Sequence, residues 1–291
     1  MNLCIFYEKD QLQLKMVRYV SMKDLLEKSN SNPIEILGVG IVKISRLSSK
    51  KKIDIVYQKG VGIKLLHKII KRNMEKIIKK REGILIDLFC NFSIYLHYFN
   101  GTQDEIIGVI YLDKKEKILH YSELFLISQK LNQCAKIDGS LIKIKDICNK
   151  EIIIPRYKGL SAIFIIASSG HLFFSKINKN KTKLIQHEIA ISGFISALLS
   201  FSKEIISHGP ETKLKQINLG NQNFYLNLRN NAIFAYLVEK QRITETFKRY
   251  MHLVSDEFIY RFKERINPKK FNGELTPFRK FESVVDQYFI I

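Results

Sequence analysis

Cysteine is scarce. Cys4, Cys90, Cys134 and Cys148 are the four in 291 residues, and no two of them form a CxxC pair. Thiols this scattered suit a reducing compartment. Acids are also in short supply, with 28 Asp and Glu against 48 Lys and Arg, a formal net charge of +20. Such an excess fits an acidic partner, whether anionic lipid, nucleic acid or an acidic protein face, although an A/T-rich genome leaves the same lysine-rich imprint. A long apolar run is missing as well. The longest weakly charged stretch, Ile189 to Ser202, is shorter than the ~20 residues a bilayer span needs. Met1 to Tyr7 has no basic start, and Glu8 interrupts its apolar run, so a signal peptide is not expected. These absences lead to the expectation of a cytoplasmic chain, peripheral to a membrane at most.

Catalytic signatures are equally sparse. Gly38-Val39-Gly40 lies inside a strand-like run and lacks the third glycine and helix start of a dinucleotide loop, and no G-x-x-x-x-G-K-[ST] occurs. The histidines, His67, His97, His120, His171, His187, His208 and His252, are dispersed without metal-ligand spacing. His187-Glu188 begins a helix-like run, but HEIAI lacks the second histidine of a zinc-protease motif. Ser168-Ser169-Gly170 has the composition of a hairpin turn rather than of a nucleophile. The expectation is a non-enzymatic chain that uses no cofactor and no metal.

What the chain does contain is one structural pattern written twice. Strand-like runs at 34–45 and 51–60, a helix-like run at 63–80, three strand-like runs at 83–89, 93–100 and 105–115, and a helix at 122–136 form the first copy. The second runs through strands at 160–170 and 171–177, a helix at 187–206, strands at 214–220, 223–230 and 231–240, and a long helix at 243–266. IYLHYFN matches FYLNLRN, and VIYLDKK aligns with AYLVEKQ after a loop-length adjustment. A period this long with two copies indicates duplicated domains rather than a solenoid. Alternation in Ile94, Leu96 and Tyr98, and in Phe224, Leu226 and Leu228, has the period of strands on a core. Ile63, Leu66, Ile70, Met74 and Ile77 form a helical stripe facing a sheet, as do Ile243, Phe247, Tyr250, Val254, Phe258 and Phe262. The organisation expected is an N-terminal extension over 1–33, a domain over 34–138, a linker over 139–159 and a domain over 160–291 with a C-terminal helix. Within the linker, Ile152 to Ile154 has the composition of a short strand ended by Pro155. In the extension, Leu3 to Tyr7 is strand-like and Met22 to Lys28 is helical.

A five-stranded sheet with one helix after strand two and another after strand five resembles the longin, or SNARE-like, fold. EIIGVIYLDKKEKILHYSELFLISQKL (105–131) is similar to the longin strand that ends in an acid before a turn and helix, with Asp113 at the acid and Glu239 replacing it in the second copy. AIFIIASSGHLFFSKI is similar to the opening hairpin of longin and roadblock domains. Roadblock domains carry an additional helix before the first strand, and Lys143 to Lys150 is too short and mixed to supply a clear one, which favours longin. The resemblance covers 34–136 and 160–266. It implies an α+β chain of two longin-like (profilin-like) domains, each a five-stranded, mostly antiparallel sheet with flanking helices. It further implies a scaffold or regulator of a small Ras-like GTPase in membrane trafficking, exchange-factor-like or tethering. The partner is then that GTPase, another longin or roadblock protein, or a second copy in a homo- or heterodimer. No exchange residue carries over, because the resemblance has no position-specific motif.

Two helices stand out as surfaces. Beside the apolar stripe of 63–80 lie Lys64, Lys68, Lys71, Arg72, Lys76, Lys79, Lys80 and Arg81, with Glu75 the one acid. Such a helix can lie on anionic lipid, each basic residue contributing up to about 1 kcal/mol, and Lys50, Lys51 and Lys52 extend the patch. The bland reading is a solvated outer face. The equivalent helix of the second copy has no charge between Glu188 and Lys203. Its Ile191, Phe194, Ile195, Leu198 and Leu199 interleave with small residues and are a candidate contact with the other domain, a second protomer or a GTPase. The bland reading is burial by the linker and C-terminal helix. The contrasting function is a basic nucleic-acid-binding protein in which Tyr95, Tyr98 and Phe99 stack on bases. These aromatics alternate as core residues do, and no RNP-like or helix-turn-helix signature accompanies them.

Overall fold

Between Ile154 and Pro155 the chain divides into two units. The structure, a computed structural model, describes residues 33–47, 50–89, 91–101, 105–115, 121–137, 141–202, 204, 214–268 and 271–291, with the backbone alone at 46–47, 50–51, 135–137 and 141. The expected elements at Leu3 to Tyr7 and Met22 to Lys28 lie outside the described residues.

The first unit opens with β1 (Ile34–Glu35), β2 (Gly38–Leu47) and β3 (Lys50–Lys59), followed by α1 (Ile63–Lys80). It continues through β4 (Gly83–Phe89), β5 (Phe92–Asn100), β6 (Glu105–Lys114), α2 (Tyr121–Ile137), α3 (Leu141–Glu151) and β7 (Ile152–Ile153). Its sheet has the order β3-β2-β6-β5-β4, antiparallel at every pairing. Because strand side chains alternate, one run fills two layers. Ile94, Leu96 and Tyr98 meet Leu66, Ile69, Ile70, Met74 and Ile77 of α1. Tyr95 and Phe99, between them in sequence, meet Leu124, Ile127 and Leu131 of α2 and Ile144 and Cys148 of α3. Each large apolar side chain so buried contributes about 1.5–3 kcal/mol. Gly60, at φ 72, turns the chain from β3 into α1 where a side chain would strike the Leu37 carbonyl. At the other end Arg81 caps α1 in the left-handed region, φ 59, its N–H donating to the Ile77 carbonyl at 2.8 Å.

The second unit repeats the plan. β8 (Tyr157–Lys158), β9 (Leu160–Ala167) and β10 (Leu172–Ile177) lead to α4 (Thr182–Gln186) and α5 (Glu188–Phe201). β11 (Gln216–Leu219), β12 (Gln222–Arg229), β13 (Ala232–Glu239), α6 (Glu245–Phe262), α7 (Thr276–Arg279), α8 (Glu282–Tyr288) and β14 (Phe289–Ile290) complete it. The order β10-β9-β13-β12-β11 is that of the first sheet. α5 covers one face through Ile195 against Phe164, Phe224 and Leu237. The opposite face takes Phe247, Tyr250, Val254 and Phe258 of α6, with Phe278 and Phe281 packed among them. Thr244 starts α6 by accepting a hydrogen bond from the Phe247 N–H at 3.2 Å, a side-chain cap for one of the helix's unpaired donors. Each unit is also closed by a two-residue parallel bridge between its first and last strands, β1 with β7 and β8 with β14.

Register relates the copies residue by residue. Tyr95 pairs with Tyr111 and Tyr225 with Tyr236. The Tyr111 hydroxyl lies 3.0 Å from Ser128 Oγ, which donates to the Leu124 carbonyl one turn back. The Tyr236 hydroxyl lies 3.3 Å from Ser255 Oγ, which donates to the Met251 carbonyl in the same way. The match of IYLHYFN with FYLNLRN therefore holds, setting His97 against Asn227. In the last strand, equating Tyr111 with Tyr236 slides VIYLDKK by one against AYLVEKQ, so Asp113 falls on Val238 and Glu239 on Lys114. Glu239 does not replace the acid. Asp113 is buried, with one carboxylate oxygen accepting from the Lys114 N–H at 2.9 Å, whereas Glu239 is half-exposed and pairs with Arg242 Nε at 2.8 Å.

The stretch read as a linker, 139–159, holds structure from both units. α3 buries Ile144 and Cys148, four residues apart, in the first core, and β7 pairs with β1. Burial pushes the Cys148 thiol up to about 12. β8 already belongs to the second unit. The lysines that made 143–150 look too mixed for a helix lie on its outer side, where they are exposed. The helix expected at 187–206 is α5, which begins at Glu188 and is preceded by the separate short α4, and α6 ends at Phe262, short of Ile266.

Candidate functional site

α1 and α5 come after the second strand, in chain order, of their five-stranded sheets and cover equivalent sheet faces, so their outer surfaces can be compared directly. On α1, Lys64, Lys68, Lys71, Arg72, Lys76, Lys79 and Lys80 are all exposed, as is Glu75. At 3.6 residues per turn Lys64, Lys68, Lys71, Arg72 and Lys79 share about a 100° arc, and the row from Lys64 to Lys80 is about 24 Å long. Arg72 Nε lies 3.6 Å from Asp87 Oδ2 and its guanidinium sits 5.6 Å from the Phe89 ring centre. Arg81, grouped with this row by sequence, has a different task. It is half-buried at the helix cap and its Nε donates to Asn100 Oδ1 at 2.8 Å. Lys52 pairs with Asp54 at 3.0 Å on β3. Lys50 and Lys51 belong to the same strand, with side chains outside the description.

α5 carries no charge after Glu188, whose carboxylate accepts from Ser175 Oγ at 2.6 Å. Of the five residues proposed for its outer face, Ile195 is fully buried, and Ile191 and Leu199 pack against the sheet. They are the core stripe, spaced four residues apart. Leu198 is half-buried, and Phe194 is 51% exposed. The surface the helix presents outward is instead Ile189, 77% exposed, with Phe194 and Phe201, around Ala190, Gly193 and Ala197. A side chain added at Gly193 would meet nothing within 4 Å. Burial by the C-terminal helices does not occur, because α6 to α8 pack on the opposite face of the sheet. The missed signal was phase. A helical wheel started from the sheet-facing stripe puts Ile189 and Phe201 outside.

The aromatics considered for base stacking are interior. Tyr95, Tyr98 and Phe99 are buried, with Tyr95 packed near Tyr111 and Tyr121 at 5.9 and 5.8 Å between ring centres. His97 lies between Phe99 and Phe125. His252 is on α6, its Nδ1 3.3 Å from Arg229 Nη2; a guanidinium only donates, so this nitrogen accepts. Among the described residues no group of three or more His, Cys, Asp or Glu is placed to hold a metal ion, and no helix is long and apolar enough to cross a membrane.

No protein-family model matches the chain, and no curated protein matches it in sequence. Among solved structures, the Roadblock/LC7 domain from Streptomyces avermitilis is similar to it over 36% of this chain and 87% of that domain, at 10% identity and a TM-score of 0.29. A likeness that slight has no bearing on function. The fold rests on the chain's own topology: two five-stranded antiparallel sheets with flanking helices, consistent with two longin-like domains.

Proposed function

We propose that this chain is a non-catalytic interaction platform that binds a small Ras-like GTPase, in the trafficking setting that the longin resemblance implies. The observation that carries the reading is the outer face of α5. On a chain of net charge +20, a helix keeps an uncharged surface with Ile189, Phe194 and Phe201 exposed. Water-exposed phenylalanines beside small residues favour close contact with another protein's apolar surface, and their burial would contribute about 25 cal/mol per Å². The same character supports pairing with another longin or roadblock protein.

The test is a pull-down with the purified chain against small GTPases of the source cell, each loaded with GDP, with a GTP analogue, or left nucleotide-free. Preference for the empty form identifies an exchange factor, and preference for the GTP form an effector or scaffold. Ile189→Asp with Phe194→Asp is expected to abolish capture. No binding in any nucleotide state rejects this reading in favour of a coat-like structural role or nucleic-acid binding, and binding that survives both changes rejects the outer face of α5 as its surface.

A further inference from the structure

We propose that the outer face of α1 is a docking surface for the anionic headgroups of a lipid bilayer, held electrostatically and without insertion. This goes beyond the GTPase reading and does not depend on it, since it concerns the other unit. Its occupant is identified by charge complementarity. Lys64, Lys68, Lys71, Arg72, Lys76 and Lys79 are exposed on one helix, with Glu75 the one acid on it and Asp87 of β4 beside Arg72. The equivalent helix, α5, has no basic residue along Glu188–Phe201. α5 covers the equivalent sheet face without a basic residue, so covering that face does not demand the lysines.

The mode of attachment follows from what lies under the charges. A helix that inserts among acyl chains needs a free apolar face, and the apolar face of α1, Leu66, Ile69, Ile70 and Ile77, is already spent on its own sheet. None of the exposed large hydrophobic residues described lies on α1. What remains outside is a row of exposed basic side chains, mostly lysines with Arg72 among them. Lysine predominates over arginine, which suits diffuse attraction to a charged plane rather than forked contact with individual phosphates. Among the described residues α1 itself carries no Phe, Tyr or Trp to stack on bases, so lipid is favoured over nucleic acid.

The full chain is tested by flotation with vesicles of phosphatidylcholine alone or with 30% phosphatidylserine. Binding is expected to the anionic vesicles only, and to vanish in 0.5 M NaCl. At ~1 kcal/mol, or about fivefold, for each basic residue near the surface, Lys68→Gln with Lys71→Gln and Lys79→Gln weakens it ~100-fold. Circular dichroism confirms that the variant remains folded. A control, Lys240→Gln with Lys263→Gln and Lys280→Gln, removes the same charge from exposed sites elsewhere and retains most of the binding. Equal loss in both variants overturns the proposal, because net charge would then suffice. So does binding to neutral vesicles, or displacement of the anionic vesicles by an equal charge of RNA. GTPase capture in the same variant separates the two readings, as it is expected to persist.

Discussion

Buried between Phe99 and Phe125, His97 has an Nδ1 with no hydrogen-bond partner among the described residues. Burial holds its pKa at about 3, below the ordinary value near 6.5. The unfolded chain therefore binds the extra proton first. This site's stability is complete above pH 6.5 and is lost as pH falls toward 3, about 2 kcal/mol going between pH 7 and pH 5. His97→Asn, the residue the second unit has at this register, is expected to abolish that share of the pH dependence, measured as urea midpoints at the two pH values. The tyrosine–serine pairs call for a different test. Tyr236→Phe leaves Ser255 bonded to the Met251 carbonyl and removes a single buried hydroxyl, so denaturant titration should show a loss of about 1 kcal/mol. Tyr111→Phe, with Ser128 in the corresponding role, should behave alike. At this scale the sequence was partly legible. Identical letters located the fourth strand, but in the last strand similar apolar letters allowed a slip of one residue, which only strand pairing resolved.

Strands and helices themselves were largely readable, since a period of two or of 3.6 is a direct imprint of burial on one face. α1 begins with its apolar stripe at Ile63 and ends at Lys80, within a turn of the last stripe residue, Ile77. α3 was missed because Ile144, Ile147 and Cys148 form a stripe only about one turn long among lysines. α5 was seen as a helix and misjudged in orientation, for the converse reason: with apolar residues all round, hydrophobicity alone does not reveal which side meets the sheet. Paired substitutions display the difference. Ile195→Asp places a carboxylate in the second core and is expected to cost at least ~3 kcal/mol, unfolding that unit or nearly so. Ile189→Asp, about 1.7 turns away and exposed, should change stability by no more than ~0.5 kcal/mol. Thermal melts of the two variants decide the point.

The duplication was legible from the order of elements, and the boundary between the units was not, because the closing pieces of one and the opening piece of the other are short and adjoin at Pro155. Each unit has hydrophobic layers on both faces of its own sheet. Residues 155–291 expressed alone are therefore expected to unfold in one cooperative thermal transition and to give a dispersed amide NMR spectrum. A collapsed spectrum would show that the unit needs the rest of the chain. The parallel bridges at β1–β7 and β8–β14 have a consequence for how such a chain grows. In each unit the backbone departs in the direction in which it arrived, displaced by one strand spacing, ~4.8 Å. A coding segment bounded by those strands can be copied or excised like a bead on a thread, without rerouting what precedes or follows it.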